Sequence, residues 1–276
     1  MRLKGRRAIV TGASRGIGAA VAERLAAEGA DVALVARTLD RHPTLAGSLQ
    51  DTAASLAAYA GRAAVITADL TDPADRARVV PEAEAALGGG IDVLVNNAAA
   101  AMYQPMSTYP LKRRLLTFEV NVHAPLDLAQ AVIPGMVERG EGWIINVSSG
   151  SARLWGSGPP FAVGMTGATI GVYGASKAAL NRLTEALAAE LWGTGVRVNT
   201  IEPRAAVLSE GAAALVGDQL TDYMLESMEE MVEATLALCD APPELTGGIH
   251  ISLDLIQSLG LTVHGLDARP LAHAKD

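Results

Sequence analysis

The stretch AIVTGASRGIGAA, residues 8–20, sets three glycines between a short apolar run and an alanine-rich helical pattern. Ala8–Thr11 is continuously apolar up to its last residue, as in a strand buried on both faces. Gly12, Gly16 and Gly18 let the backbone turn sharply and approach a ligand closely. The helix that follows from Ile17 offers free N–H groups and a positive dipole end to a phosphate. A tight strand-to-helix turn alone would also use glycines. The position favours phosphate binding: this is the first strand-to-helix junction, and ligands of open α/β sheets sit at the carboxyl ends of the strands.

The same alternation continues outward. Strand candidates are Ala8–Thr11, Val32–Ala36, Ala64–Thr67, Val93–Val95, Trp143–Val147, Val196–Ile201 and, last, Gly248–Ser252. Helical patterns fall between them at Ile17–Glu28, Pro73–Leu87, Leu111–Glu138, Tyr173–Trp192 and Tyr223–Leu238. Strands alternating with helices imply right-handed βαβ units, a parallel sheet and an α/β fold class. No linker or repeat interrupts the chain, so residues 1–276 are expected to form a single domain. Residues 203–276 belong to it as a substrate-side loop and C-terminal region, with the end from Arg269 loose.

Composition narrows the function classes. Half of the 276 residues are hydrophobic and 19% are charged, a globular profile. A net charge of −8 disfavours nucleic acid as a partner. Cys239 is the only cysteine, which excludes an internal disulfide. His42, His123, His250, His264 and His273 are scattered without metal-ligand spacing, so no metal is expected. No run of 18 apolar residues and no signal-peptide pattern is present; a cytoplasmic, membrane-free protein is the expectation. Glu226, Glu229, Glu230 and Glu233 read as a solvated helix face.

GVYGASKAAL, residues 171–180, puts Tyr173 and Lys177 one helical turn apart on a common face. An ammonium close to a phenol favours the phenolate, and a phenol tuned this way exchanges protons near neutral pH. Taken alone, the pair equally suits an ordinary amphipathic helix.

The glycine spacing Gly-x-x-x-Gly-x-Gly followed by Tyr-x-x-x-Lys resembles the short-chain dehydrogenase/reductase family. The likeness runs from about Lys4 to Pro203 and includes NNAA at 96–99, VNV at 120–122, INVSS at 145–149 and VRVN at 196–199. It implies a Rossmann-type doubly wound parallel sheet and an oxidoreductase acting on a small-molecule secondary alcohol or ketone. Tyr173 would be the general acid or base, and Lys177 would lower its pKa and bind the nicotinamide ribose. Ser149, with Ser148 and Ser151 as neighbouring candidates, would polarise the substrate carbonyl, and Asn121 would hold a water linking Lys177 to solvent. The cofactor would lie along Gly12, Ser14, Arg15, Gly16, Ile17, Gly18, Arg37, Asp69, Leu70, Asn97, Ala98, Tyr173, Lys177 and Ala206. Small residues near Tyr173 would let it lie close, and Asn97 would also hold the neighbouring strand. A homodimer or homotetramer is implied, with helix pairing through Leu111–Glu138 and Tyr173–Trp192.

NAD-specific relatives usually end the second strand with an aspartate. Here DVALVART places Ala36 there and Arg37 next, and the glycine turn adds Arg15. Two guanidiniums suit the 2′-phosphate of NADP(H), so NADP(H) is expected over NAD(H). Asp69 would stand farther along, at the adenine. Three departures from the family pattern are visible. Tyr173 follows Ser149 by 24 residues, a long gap filled by a Gly- and Pro-rich segment at 151–169. That segment reads as a substrate-side flap, its Trp155, Phe161 and Met165 joining Met102, Tyr103 and Met106 around an apolar pocket. Arg204 stands where a glycine is usual, and the Asp-Gly-Gly turn after the last strand is missing. Two other readings remain: a redox sensor without turnover, and an epimerase or dehydratase.

Overall fold

A computed structural model describes residues 1–156, 159, 167–207, 210 and 225–271. Seven parallel strands form one sheet: β1 (Arg7–Thr11), β2 (Asp31–Ala36), β3 (Ala63–Thr67), β4 (Val93–Asn96), β5 (Gly142–Val147), β6 (Val196–Glu202) and β9 (Ile249–Ile251). Their order is β3-β2-β1-β4-β5-β6-β9. A second pair, β7 (Ala206–Val207) with β8 (Leu225–Glu226), stands apart from it. The helices are α1 (Gly16–Ala27), α2 (Leu49–Leu56), α3 (Pro73–Leu87), α4 (Leu111–Phe118), α5 (Ala124–Arg139), α6 (Gly171–Glu190), α7 (Met228–Cys239) and α8 (Ser252–Leu259).

The continuous apolar strands have partners on both sides, as their composition requires. Val10, Val32 and Leu34 pack with Val21 and Leu25 of α1, Leu49 of α2 and Met231 of α7. Their neighbours Ile9, Ala33 and Val35 point the other way, against Val79 of α3, Leu128 of α5 and Ala188 of α6. The chain winds outward from β1 to β3, then returns to β4 on the other side of β1. This reversal opens a crevice at the carboxyl ends of β1 and β4.

Four expectations change. The helix expected over Leu111–Glu138 is interrupted by a wide π turn at Glu119–His123, with Asn121 inside it. Pro125 begins α5 just beyond that turn. The sequence pattern does not predict helices α2 and α8: α2 is only two turns long, and α8 starts immediately after β9 without a linking loop. Arg269, expected to be loose, accepts at its carbonyl from Gly265 N at 2.8 Å, closing a turn that bridges His264 and Pro270. The expected acidic face is largely not solvated. Glu233 is buried because Arg24 at 2.9 Å and His264 at 3.3 Å hold its carboxylate. Glu226 lies on β8, buried, where its carboxylate accepts from Arg204 N at 2.8 Å. Glu230 caps α7 through Ser227.

Candidate active site

At the carboxyl ends of the strands lies one continuous cavity of about 1390 Å³. Its first end is the glycine turn. Gly12, Ser14, Arg15, Gly16 and Ile17 line it, but Gly18 does not. Gly18 serves packing: a Cβ there would collide with Gly12 O and Asn97 Nδ2. Asn97 fastens β4 to this turn. Its Nδ2 donates to Thr11 O at 2.9 Å, while Thr11 Oγ1 accepts from Asn97 N and Ala98 N, each at 3.0 Å. Helix α1 has no side-chain N-cap and no acid in its first turn, which leaves its leading N–H groups for a ligand.

Arg37, Asp69 and Leu70 continue the wall, with Asn97 and Ala98. Arg37 is exposed and makes no side-chain hydrogen bond or ion pair among the described residues. Arg15 lines the cavity, and its Nε and Nη2 donate to Ala46 O and Gly47 O, each at 2.8 Å. Asp69 is committed to Thr71, accepting from its N at 3.0 Å and its Oγ1 at 2.8 Å.

The far end gathers Ser149, Tyr173 and Lys177, with Ala206 on the opposite loop. Ser149, not Ser148, hydrogen-bonds the Tyr173 phenol. Ser148 Oγ is buried without a partner. Ser151 supports Ser149, placing its N at 3.2 Å and its Oγ at 3.0 Å from the Ser149 hydroxyl. At Gly174 the protein's own chain requires a small residue: a Cβ there would lie 2.5 Å from Ser151 O. Asn121 is fully buried and does not line the cavity. Its Oδ1 accepts from Ala100 N at 2.7 Å, and its Nδ2 donates to Ala100 O at 3.1 Å and Ser176 Oγ at 3.0 Å. Ser176 Oγ in turn donates to Tyr173 O at 2.7 Å. Both amide hydrogens are therefore used in tying the 98–102 segment to α6.

Burial is the first influence on the electrostatics of this end. Lys177 is buried, donates from Nζ to Val147 O at 2.7 Å, and lies 5.9 Å from the centre of the Tyr173 ring. Burial lowers its pKa to about 8. The Tyr173 phenol is pushed above its ordinary value, first by desolvation and then by Tyr103, and is held back by the Ser149 hydrogen bond. Tyr103, its ring centre 6.1 Å away, is itself raised by burial. At neutral pH the phenol is thus a proton donor.

Of the residues expected around the substrate, Met102, Tyr103 and Trp155 line the cavity. Met106 does not; it is exposed and packs toward Gly171. Phe161 and Met165 lie outside the described residues. Arg153 lines the cavity too and pairs with buried Glu202 at the end of β6. Arg204 pairs with Asp254 of α8, and its backbone N donates to Glu226 and Ser252. Residues 38–45 add Thr38, His42, Thr44 and Leu45 to the first end. The available signal was the Pro- and Gly-containing stretch TLDRHPTLAGS between β2 and α2.

A family model described as short chain dehydrogenase matches residues 6–218. L-xylulose reductase of Bos taurus is 32% identical over 265 residues, covering 92% of this chain and 97% of its own. Among solved structures, a short chain dehydrogenase homologue from Mycobacterium thermoresistibile superposes with a TM-score of 0.80 at 28% identity, over 99% of this chain and 96% of that one. A 3-oxoacyl (acyl-carrier-protein) reductase from Agrobacterium tumefaciens with NADP bound gives 0.75 at 28% identity, over 90% and 93%. The family-model match over residues 6–218 and the match to L-xylulose reductase show the family: the chain belongs to the short-chain dehydrogenase/reductase family of NAD(P)-binding oxidoreductases.

Proposed function

We propose that the protein transfers hydride between NADP(H) and an apolar secondary alcohol or ketone, with Tyr173 exchanging the proton. The observation that carries this reading is the meeting of Ser149, Tyr173 and Lys177 at one end of a cavity whose other end is the glycine turn.

The residues suit a dinucleotide. Lys177 is a buried ammonium with no carboxylate partner among the described residues, so it has N–H groups for ribose hydroxyls. In a protein of net charge −8, the cavity wall carries Arg15, Arg37 and Lys177 without a carboxylate partner among the described residues, against Asp69 as the one carboxylate of that wall. That field favours a polyanionic ligand. The bound cofactor supplies or accepts the hydride. Ser149 donates to the substrate oxygen, and Tyr173 delivers its proton there as a ketone is reduced, or removes one as an alcohol is oxidised. Because Tyr173 sits above its ordinary pKa, alcohol oxidation should quicken with rising pH across the neutral and mildly alkaline range, where ketone reduction does not.

Met102, Tyr103 and Trp155 support an apolar substrate; of the 151–169 segment read as a flap, Ser151, Arg153, Leu154, Trp155 and Gly156 line the cavity, and residues 157, 158 and 160–166 lie outside the described residues. Leu111 and Leu115 of α4, both exposed, support pairing of two copies through Leu111–Glu138 and Tyr173–Trp192. A panel of ketones followed by NADPH absorbance tests the reading, and no turnover of any ketone or alcohol would refute it.

Two variants sharpen it. Arg37→Ala should remove most of the NADPH preference, about tenfold in affinity, as expected for one charge-assisted hydrogen bond; calorimetry with NADPH and NADH reads this directly. Gly174→Ala should displace Ser151, and with it Ser149, from the phenol. A misplacement of that kind lowers kcat roughly ten- to a hundredfold. Circular dichroism would confirm the fold, and an unchanged kcat would contradict the role given to Ser151.

A further inference from the structure

Tyr103 enters the cavity beside the Tyr173 phenol, from the segment that follows β4. Its backbone is fastened on both sides. Asn121 clamps Ala100 at N and O, the Tyr109 hydroxyl donates to Met102 O at 3.1 Å, and Gln104 N donates to Thr169 O at 2.9 Å, just before α6. The rings of Tyr103 and Tyr173 are held with centres 6.1 Å apart and planes tilted by 58°. Their hydroxyls are near enough to couple, since Tyr103 raises the Tyr173 phenol electrostatically. Phenylalanine would serve that ring contact equally well. Tyr103 instead carries a half-buried hydroxyl that makes no hydrogen bond among the described residues. Desolvation alone raises its pKa, with no partner to offset the loss of water. The hydroxyl oxygen is not sealed inside the protein, because it is absent from the buried polar atoms left without a partner. A phenol in this state is a donor aimed at whatever fills the cavity.

We infer that Tyr103 is a specificity residue whose hydroxyl donates to a second oxygen of the substrate, on the carbon next to the one that exchanges hydride. The substrate class is then an α-hydroxy ketone or an α-diketone, and a vicinal diol in the reverse direction. The inference rests on the hydride-transfer reading above and deepens it. One small molecule has to meet two hydroxyls whose rings stand 6.1 Å apart, which sets its second oxygen close to the first. In the reduction the carbonyl carbon gains the hydride of NADPH and its oxygen gains the proton of Tyr173, leaving an alcohol and NADP⁺. Tyr103 gives up no proton, and the oxygen it holds is unchanged. Met102, beside it on the cavity wall, keeps the rest of the molecule apolar. A plain ketone would displace water from the Tyr103 hydroxyl and leave that donor unpaired, so the site discriminates against it.

Steady-state kcat/KM of the full chain with NADPH tests this on matched pairs, benzoin against deoxybenzoin and acetoin against butanone, in the wild type and in Tyr103→Phe. The substitution removes the hydroxyl and keeps the ring against Tyr173. The intrinsic reactivity of each carbonyl cancels between wild type and variant. The preference for the hydroxy ketone over its plain partner should fall about tenfold in Tyr103→Phe, chiefly through KM, as for one lost hydrogen bond. A merely structural role would lower both members of a pair by the same factor, and circular dichroism confirms the fold of the variant. A preference unchanged in Tyr103→Phe overturns the inference. So does a wild type that reduces plain ketones but neither hydroxy ketone. No turnover of any ketone or alcohol refutes the hydride-transfer reading itself, and the role of Tyr103 falls with it.

Discussion

Tyr173→Phe is expected to abolish turnover while cofactor affinity stays as in the wild type. The substitution removes one oxygen and keeps the ring, so the contact with Tyr103 and the packing of α6 survive. It deletes the phenol that Ser149 hydrogen-bonds. Ser149 remains to polarise a substrate oxygen, yet neither it nor Ser151 has the proton affinity to take over acid–base exchange. General acid–base catalysis contributes about 10²–10⁴-fold, so the loss in kcat should be at least that large. Steady-state rates measured beside calorimetric cofactor binding check both halves. Activity near that of the wild type would show that another group moves the proton.

Lys177→Met should make the ligand-free protein more stable and the enzyme inactive. Burial lowers the Lys177 pKa from 10.5 to about 8, so holding its charge in the folded state costs on the order of 3 kcal/mol at neutral pH. The sign follows from proton binding. Below about pH 8 both folded and unfolded chains carry the proton, and the whole cost is present. Between about pH 8 and 10.5 the unfolded chain keeps a proton that the folded one releases, so stability from this group rises with pH. Methionine removes the charge but leaves Val147 O without its donor, which returns about 1–2 kcal/mol. A net gain of about 1–2 kcal/mol remains, read as a raised denaturation midpoint at pH 7, together with loss of the wild type's stability increase above pH 8. A variant less stable than the wild type at pH 7 would mean that the ammonium is better solvated than its burial suggests.

The frame of the fold was legible because its signals are local and repeated. Val32–Ala36 and Val196–Ile201 announce strands covered on both sides, and the glycines after Thr11 mark the first crossover. Ser149, Tyr173 and Lys177 were found by motif order, and the structure gathers them. What stayed hidden depends on contacts between distant residues. Nothing in GASRG says that the Arg15 guanidinium will meet Ala46 and Gly47, some thirty residues onward. The π turn at Asn121 has the composition of an ordinary helix, and its extra width shows only where Asn121 reaches Ala100 and Ser176. The tyrosine–lysine spacing carries no information about depth, and it is burial that raises the Tyr173 phenol and lowers the Lys177 ammonium.

Beneath α6, Asn96, Asn146 and Thr200 stand side by side on β4, β5 and β6. Asn96 Nδ2 donates to Asn146 Oδ1, Asn146 Nδ2 to Thr184 Oγ1 of α6, and Thr200 Oγ1 to the same hydroxyl, each at 2.9 Å. All four residues are buried. Apolar neighbours would tolerate sliding, since one valine replaces another at little cost, but these amides would not. If β5 slipped by one residue, Asn146 would turn to the opposite face and leave several donors and acceptors in an apolar layer, each costing about 1–3 kcal/mol. The row therefore acts as a proofreading mark during folding. It separates the native arrangement from near-miss pairings of three similar strands, and it sets the rotation of the helix that carries Tyr173 and Lys177 before any ligand arrives.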